Sequence, residues 1–257
     1  METLTREVRW AEAIVRSACY GYLAEGFGYP LPDRRSRQAQ RAMLLEQVQL
    51  ANPSLESLLR RTLQAEASAH LGDLQRAHGR LFPPIESRDC PSYETAYRGR
   101  DIFQQSRLMA DAAGFYRADG LEVGGKERER PDFIATELEF MGFMAQKEAY
   151  ARRHLGGGRD EHCRRVQAMF LRDHLGCWGV GFGQRVAAMA DHRFFRALGA
   201  LLAAWLDDDM RALEVTPSEQ ADTPLPPPDP EAADCGPLGC DCGSGSCECP
   251  AAEAPTP

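Results

Sequence analysis

From Leu4 the apolar residues Leu4, Val8, Ala11, Val15, Ala18 and Tyr22 recur in alternating steps of four and three, and no β-branched, period-two run replaces that spacing anywhere in the chain. A stripe of this period, repeated without strand patterning, restricts the fold to packed helices. The first helix stops at GFGYPLP, where glycine and proline cannot continue it. A weaker stripe runs from about Pro32 to Leu50. Asn52 then supplies a capping side chain ahead of Pro53, and Leu55, Leu58, Leu59, Leu63 and Leu71 carry a helix to about His78. Asp101 caps a helix bearing Ile102, Leu108, Met109, Ala113 and Tyr116, which stops at Gly120. Pro131 opens a long helix with Ile134, Leu138, Met141 and Met144 on its inner face, ended by Gly156 to Gly158. Segments near 160–175, 178–190 and 191–213 follow, the last apolar around much of its girth. The pattern predicts an all-α, single helical-bundle domain of six to eight helices.

The bundle stops short of the end of the chain. Residues from Val215 onward hold ten of the seventeen prolines, five of the nine cysteines, eight acids and no Lys or Arg, so the formal net charge of −8 belongs to the tail and the body is electrically balanced. Two parts are expected: a helical domain over 1–214, and over 215–257 a disordered acidic, Pro-rich linker with a Cys-rich tail. A balanced body lacks the basic face that nucleic-acid binding requires. The start METLTREVRW is charged where a secretory leader is apolar, and no apolar run is long enough to span a membrane. The expected location is the cytoplasm, where Cys19, Cys90, Cys163 and Cys177 are buried, reduced thiols.

Catalytic motifs are missing. There is no phosphate-cradling glycine loop, HExxH, GxSxG or paired CxxC in the body, and no histidine stands four residues from a second His or Cys. The six histidines are therefore read as surface or locally bonded groups, and the protein as a binding protein with no enzymatic activity. The connection KERERPD, just before the long helix, is the most charged element of the body. Glu127, Glu129 and Asp132 admit two readings: carboxylates favoured by the positive end of a helix, or acceptors for the guanidinium groups of a bound peptide.

The segments YETAYRG, MADAAGFYRADGLE, ERPDFIATELEFM and FLRDHLGCW resemble the TorD/DmsD/NarJ family of molybdoenzyme maturation chaperones. The resemblance covers about residues 5–213 and is strongest to the branch serving dimethyl-sulfide and ethylbenzene dehydrogenases and selenate and chlorate reductases. The family's E-x-P-D-H loop corresponds to Glu129, Arg130, Pro131, Asp132 and Phe133, with phenylalanine in place of the family histidine, so no imidazole role carries over. Tyr93, Glu94 and Tyr97 match the family's P-Y-E-S-x-Y pattern.

The resemblance implies a cytoplasmic, system-specific chaperone. Such a protein holds the apo catalytic subunit of a molybdenum oxidoreductase, with its twin-arginine leader, until the molybdopterin cofactor carried by that client is inserted. Glu129, Pro131, Asp132, Phe133, Tyr93, Glu94 and Tyr97 are the implied client- and leader-binding residues, and the implied state is a monomer or a helix-swapped dimer. The tail adds a second class of function. Cys235, Cys240, Cys242, Cys247 and Cys249 include two CxC pairs able to wrap a soft metal or an iron–sulfur cluster, which suits metal delivery or redox work.

Overall fold

The computed structural model describes residues 2–32, 38–51, 53–83, 89–124, 129–155 and 157–226. Among them are ten helices: α1 (Glu2–Phe27), α2 (Gln38–Ala51), α3 (Pro53–Ala67), α4 (Leu71–Leu81), α5 (Thr95–Arg98), α6 (Ile102–Ala118), α7 (Ile134–His154), α8 (Arg159–Asp173), α9 (Leu175–Met189) and α10 (Arg193–Ala212). No helix among the described residues is long and apolar enough to cross a membrane. The all-α expectation holds. The Cys-rich segment and its proposed metal ligands, Cys235 to Cys249, lie outside the described residues, as do Asn52 and Glu127.

Two helices arise where the chain shows no break or no period to mark them. The stripe from Pro53 to about His78 is divided into α3 and α4 at Ser68–His70, although no Gly or Pro stands there. Ser68 Oγ donates to the Gln64 and Ala65 carbonyls, at 2.8 and 3.2 Å, and Ala69 N turns to Glu66 O. A serine side chain that binds the preceding turn competes with the helical ladder and ends it. The other is α5, a single turn too short to show a period. Elsewhere local signals decide the boundaries as read: Asp101 Oδ1 accepts from Phe103 N and Gln104 N, each at 2.9 Å, and starts α6.

The centre is built by α1 on α7 and α9 on α10, with α8 against α7 and α3 against α10. Tyr20, Leu23 and Phe27 of α1, Leu138, Met141 and Met144 of α7, Phe182 of α9 and Phe194, Leu198 and Leu202 of α10 are buried together. Helices α9 and α10 meet backbone to backbone. A Cβ on Gly199 would lie 2.5 Å from Gly183 O, so glycine at this crossing sets the interaxial distance.

Charge is buried as well. Arg16 on α1 makes a two-pronged pair with Asp209 on α10, Nε to Oδ1 at 2.5 Å and Nη2 to Oδ2 at 2.9 Å, while Tyr20 Oη donates to Asp209 Oδ2 at 2.6 Å. Arg16 Nη1 also reaches Glu148 Oε2 on α7 at 3.2 Å, and Gln167 on α8 donates to the same oxygen at 2.9 Å. The facing carboxylates push the Arg16 guanidinium above its ordinary value despite burial, so it stays charged.

The linker expectation needs correction at its near end. Residues 215–226 lie against the body as a strap: Ser218 N donates to Arg172 O, Ala221 N to Cys177 O and Leu225 N to Ala96 O, each at 2.8 Å. Ala221 is buried, and the compact unit runs to Pro226, twelve residues past the predicted boundary at 214. Proline and acid content signals a linker only where no surface offers acceptors. Here the ends of α8, α9 and α5 do.

Candidate functional site

The four segments that carried the family resemblance are far apart in sequence and meet at one joint, where α5 is wedged between the start of α7 and the junction of α8 and α9. The connection that enters α7 does not start the helix at Pro131. Residues 131 and 132 turn, Phe133 pairs with Tyr93 in an isolated antiparallel bridge, and α7 begins at Ile134. Glu94 N donates to Asp132 O and Ile134 N to Ser92 O, both at 2.9 Å. This pairing turns the Asp132 side chain away from α7 and onto α5.

Asp132 is fully buried. Its Oδ2 accepts from Thr95 N at 3.2 Å and Thr95 Oγ1 at 2.7 Å, which caps the first turn of α5. Arg130 closes the other side, Nε to Oδ1 at 2.9 Å and Nη2 to Oδ2 at 2.8 Å, and its guanidinium lies 4.3 Å from the centre of the Tyr93 ring. Pro131 contributes its carbonyl, which accepts from Tyr116 Oη at 2.6 Å. The acid assigned to a peptide's arginine thus already holds an arginine of its own chain.

Glu94, one residue along, is also fully buried. Arg98 Nη1 donates to its Oε1 and also to Asp173 O at 2.6 Å, and His174 Nδ1 lies 2.9 Å from Oε2. His174 is enclosed by Phe115 and Phe170, the second stacked at 5.0 Å, and its Nε2 is 3.3 Å from Asp111 Oδ2 without hydrogen-bond alignment. Glu137, on the inner face of α7, accepts from Trp178 Nε1 at 3.2 Å through Oε2, while Oε1 has no hydrogen-bond partner among the described residues. Burial, then the nearby charges of Glu94 and Asp132, push the Glu137 carboxyl well above the ordinary range, against the opposing pull of Trp178 and Arg98. The Tyr97 ring packs tilted against Trp178, centres 5.2 Å apart, and its hydroxyl donates to Pro91 O at 3.1 Å.

The joint therefore has an inside and a rim. Asp132, Glu94 and Tyr97 are inside; Tyr93, Pro131 and Phe133 are half-buried, with Tyr93 and Phe133 rings 5.5 Å apart; Glu129 is exposed. Just beyond α5, Ile102 and Phe103 are exposed at 66% and 83%, a bare apolar pair beside the rim. The sequence alone assigned no site role to Arg98, Glu137 and Trp178; Arg130 was legible as a base able to neutralise the acids of its own loop, and His174 only as a surface or locally bonded histidine. All five fall inside the quoted segments, and the resemblance between those segments was the available signal. No group of His, Cys, Asp and Glu among the described residues is arranged to hold a metal. The four body cysteines are buried thiols outside any disulfide, and burial pushes Cys90 up to about 12.

A second surface feature is a groove of about 720 Å³ between α2, α3 and α4. Leu31, Leu45, Leu63, Leu71 and Leu74 line it, and on one wall Arg41 bridges Glu25 and Glu66 at 2.9 Å each.

Residues 42–183 match the nitrate reductase delta subunit family. A chlorate reductase assembly chaperone from Ideonella dechloratans is 33% identical over 172 residues, covering 65% of this chain and 76% of that protein. A selenate reductase assembly chaperone from Thauera selenatis is 32% identical over 190 residues, covering 72% of this chain and 85% of that protein. A perchlorate reductase assembly chaperone from Dechloromonas aromatica (strain RCB) is 27% identical over 218 residues, covering 80% of this chain and 95% of that protein. The chain belongs to the nitrate reductase delta subunit family, within the TorD/DmsD/NarJ group of assembly chaperones, and is a chaperone, not an enzyme.

Proposed function

We propose that this protein is a cytoplasmic, client-specific chaperone for the catalytic subunit of a molybdenum oxidoreductase, holding it and its twin-arginine leader until cofactor insertion. The observation that carries the reading is the leucine-lined groove of α2, α3 and α4, whose volume of about 720 Å³ suits an apolar peptide segment. The rim of the joint, with exposed Glu129 and the Tyr93 and Phe133 rings, supplies a carboxylate and aromatic faces for the leader's arginines. Asp132, Glu94 and Tyr97 act from beneath by holding the rim in shape.

The test begins with a tagged full-length chain expressed in its own host. A co-purifying oxidoreductase subunit lacking molybdopterin is expected, and its leader is then titrated calorimetrically against wild type and Leu63→Ser. Leu63→Ser, which removes part of the groove wall, should weaken the leader by about tenfold. Recovery of no such subunit, or equal leader affinity in the two proteins, would overturn the reading.

A further inference from the structure

The strap formed by residues 215–226 is held in a way that any extended polypeptide could reproduce. Its three anchors, Ser218 N to Arg172 O, Ala221 N to Cys177 O and Leu225 N to Ala96 O, are main-chain bonds and ask nothing of side chains. Side chains add little to them: Ser218 Oγ lies 3.6 Å from Cys177 Sγ, and Val215 is only partly buried against the core. Ala221 is buried, and Glu219 Oε2 meets Arg98 Nε at 3.2 Å while remaining 51% exposed. The other strap side chains are exposed or half-exposed, so little apolar area resists departure of the segment.

The body side is shaped for a backbone. A Cβ on Gly181 would lie 2.4 Å from Asp222 Cα, and the three atoms nearest that position all belong to the strap. Glycine within a helix is less stable than alanine. Here it lets a chain lie directly on α9. Arg98 turns one edge to Glu94 and the Asp173 carbonyl and presents Nε outward to a carboxylate. The acceptor Ala96 O belongs to α5, the helix beneath the recognition rim.

We propose that this surface of α5, α8 and α9 is a second docking surface for the client, taking an extended segment with Asp or Glu two positions before a small residue, and that the strap is its displaceable resident. The inference rests on the client-binding reading above and names the partner segment by its chemistry. An incoming carboxylate takes Arg98 Nε from Glu219, a small side chain fills the Ala221 position, and the main-chain acceptors change hands one for one.

The test keeps the full-length chain. Ala221→Glu puts a charge where the strap is buried and frees it, leaving the surface intact. A fluorescent peptide of residues 214–226 is the probe. It should bind the Ala221→Glu chain at least about tenfold more tightly than wild type, whose surface is filled. Adding Gly181→Ala should abolish that binding without loss of helicity by circular dichroism, and a Glu219→Gln peptide should bind several-fold more weakly. The subunit recovered by co-purification should displace the peptide and, with wild type, accelerate amide exchange at Ala221 and Leu225. Peptide binding that ignores Gly181→Ala, or no binding to the freed chain, would overturn the proposal. So would a subunit that binds wild type while exchange at 221 and 225 stays unchanged, and that result would leave client binding itself standing. Protection at 221 that rises with protein concentration would assign the surface to a second copy and overturn the client assignment.

Discussion

The Arg130 guanidinium and the Asp132 carboxylate, two residues apart in the chain, form a two-pronged pair over the first turn of α5, at 2.9 and 2.8 Å. Asp132 is fully buried, whereas the Arg130 side chain is 37% exposed. The aspartate therefore fastens the entry of α7 to α5 and, fully buried, is out of a client's reach. Asp132→Ala should lower stability by about 2–3 kcal/mol in urea unfolding, because Thr95 and Arg130 both lose their acceptor. Glu129→Ala removes an exposed carboxylate and should leave the midpoint within about 0.5 kcal/mol. Its effect belongs in the leader titration, where a loss of about two- to fivefold is expected. The opposite outcome, a stable Asp132→Ala with impaired leader binding, would return the aspartate to the recognition surface.

Glu137 makes the joint pH-sensitive in a defined direction. Its folded-state pKa is raised by burial and by Glu94 and Asp132, so the unfolded chain releases a proton before the folded chain does. The contribution is complete below the unfolded value near 4.5 and is lost as pH rises toward the folded value, with a limiting slope of about 1.4 kcal/mol per pH unit. Glu137→Gln keeps an acceptor for Trp178 Nε1 and removes the titration. Its urea midpoint should equal wild type near pH 4.5 and exceed it increasingly toward pH 7. Parallel pH profiles would show that Glu137 is ionised in the folded protein.

How far the sequence reached can be judged from these same residues. Helices with strong local signals were legible: the Asp101 cap, the glycine stop after α6 and the apolar stripe of α7 all gave their elements from neighbours a few residues away. Asp132 was legible as important but not as buried. Its partner Thr95 is 37 residues away, and acids beside a proline at a helix start look solvent-facing until the Tyr93–Phe133 bridge turns them. His174 reads as a lone histidine because its partner Glu94 is 80 residues distant. Pairing across such distances is a property of packing, and no periodicity records it. The strap fails for a related reason: its residues have linker chemistry, and only the carbonyls of Arg172, Cys177 and Ala96 give it a place.

The buried network at Arg16 makes a sharper claim about stability than any surface ion pair. Asp209→Ala leaves Arg16, about 7% exposed, facing Glu148 alone, and strands the Tyr20 hydroxyl. A loss of about 3–5 kcal/mol is expected by urea unfolding. Arg16→Met combined with Asp209→Leu should recover part of it, because the buried pair gives way to apolar groups and Glu148 keeps Arg152 and Gln167, while the Tyr20 hydroxyl still lacks its acceptor. A double variant as unstable as Asp209→Ala would show that the network sets the packing of α1 on α10 and does not merely satisfy its own charges.

The strap also decides where the tail must be cut to test it. The strap is held to the body chiefly by three main-chain bonds and one buried alanine, so its removal takes little from the packed core. A chain ending at Glu214 should therefore unfold within about 1 kcal/mol of one ending at Pro226, while its Cys177, now 1% exposed beneath the strap, becomes reactive to a thiol reagent. The shorter chain is consequently the wrong control for the cysteines beyond it, since it alters the body as well. Full-length protein and a chain ending at Pro226, both purified anaerobically, isolate Cys235, Cys240, Cys242, Cys247 and Cys249. If the two CxC pairs hold a soft metal or an iron–sulfur cluster, the full-length chain carries it at a fixed ratio and the 1–226 chain carries none. Equal metal content in the two would remove the tail from the delivery role and leave the chaperone to act through its helical body alone.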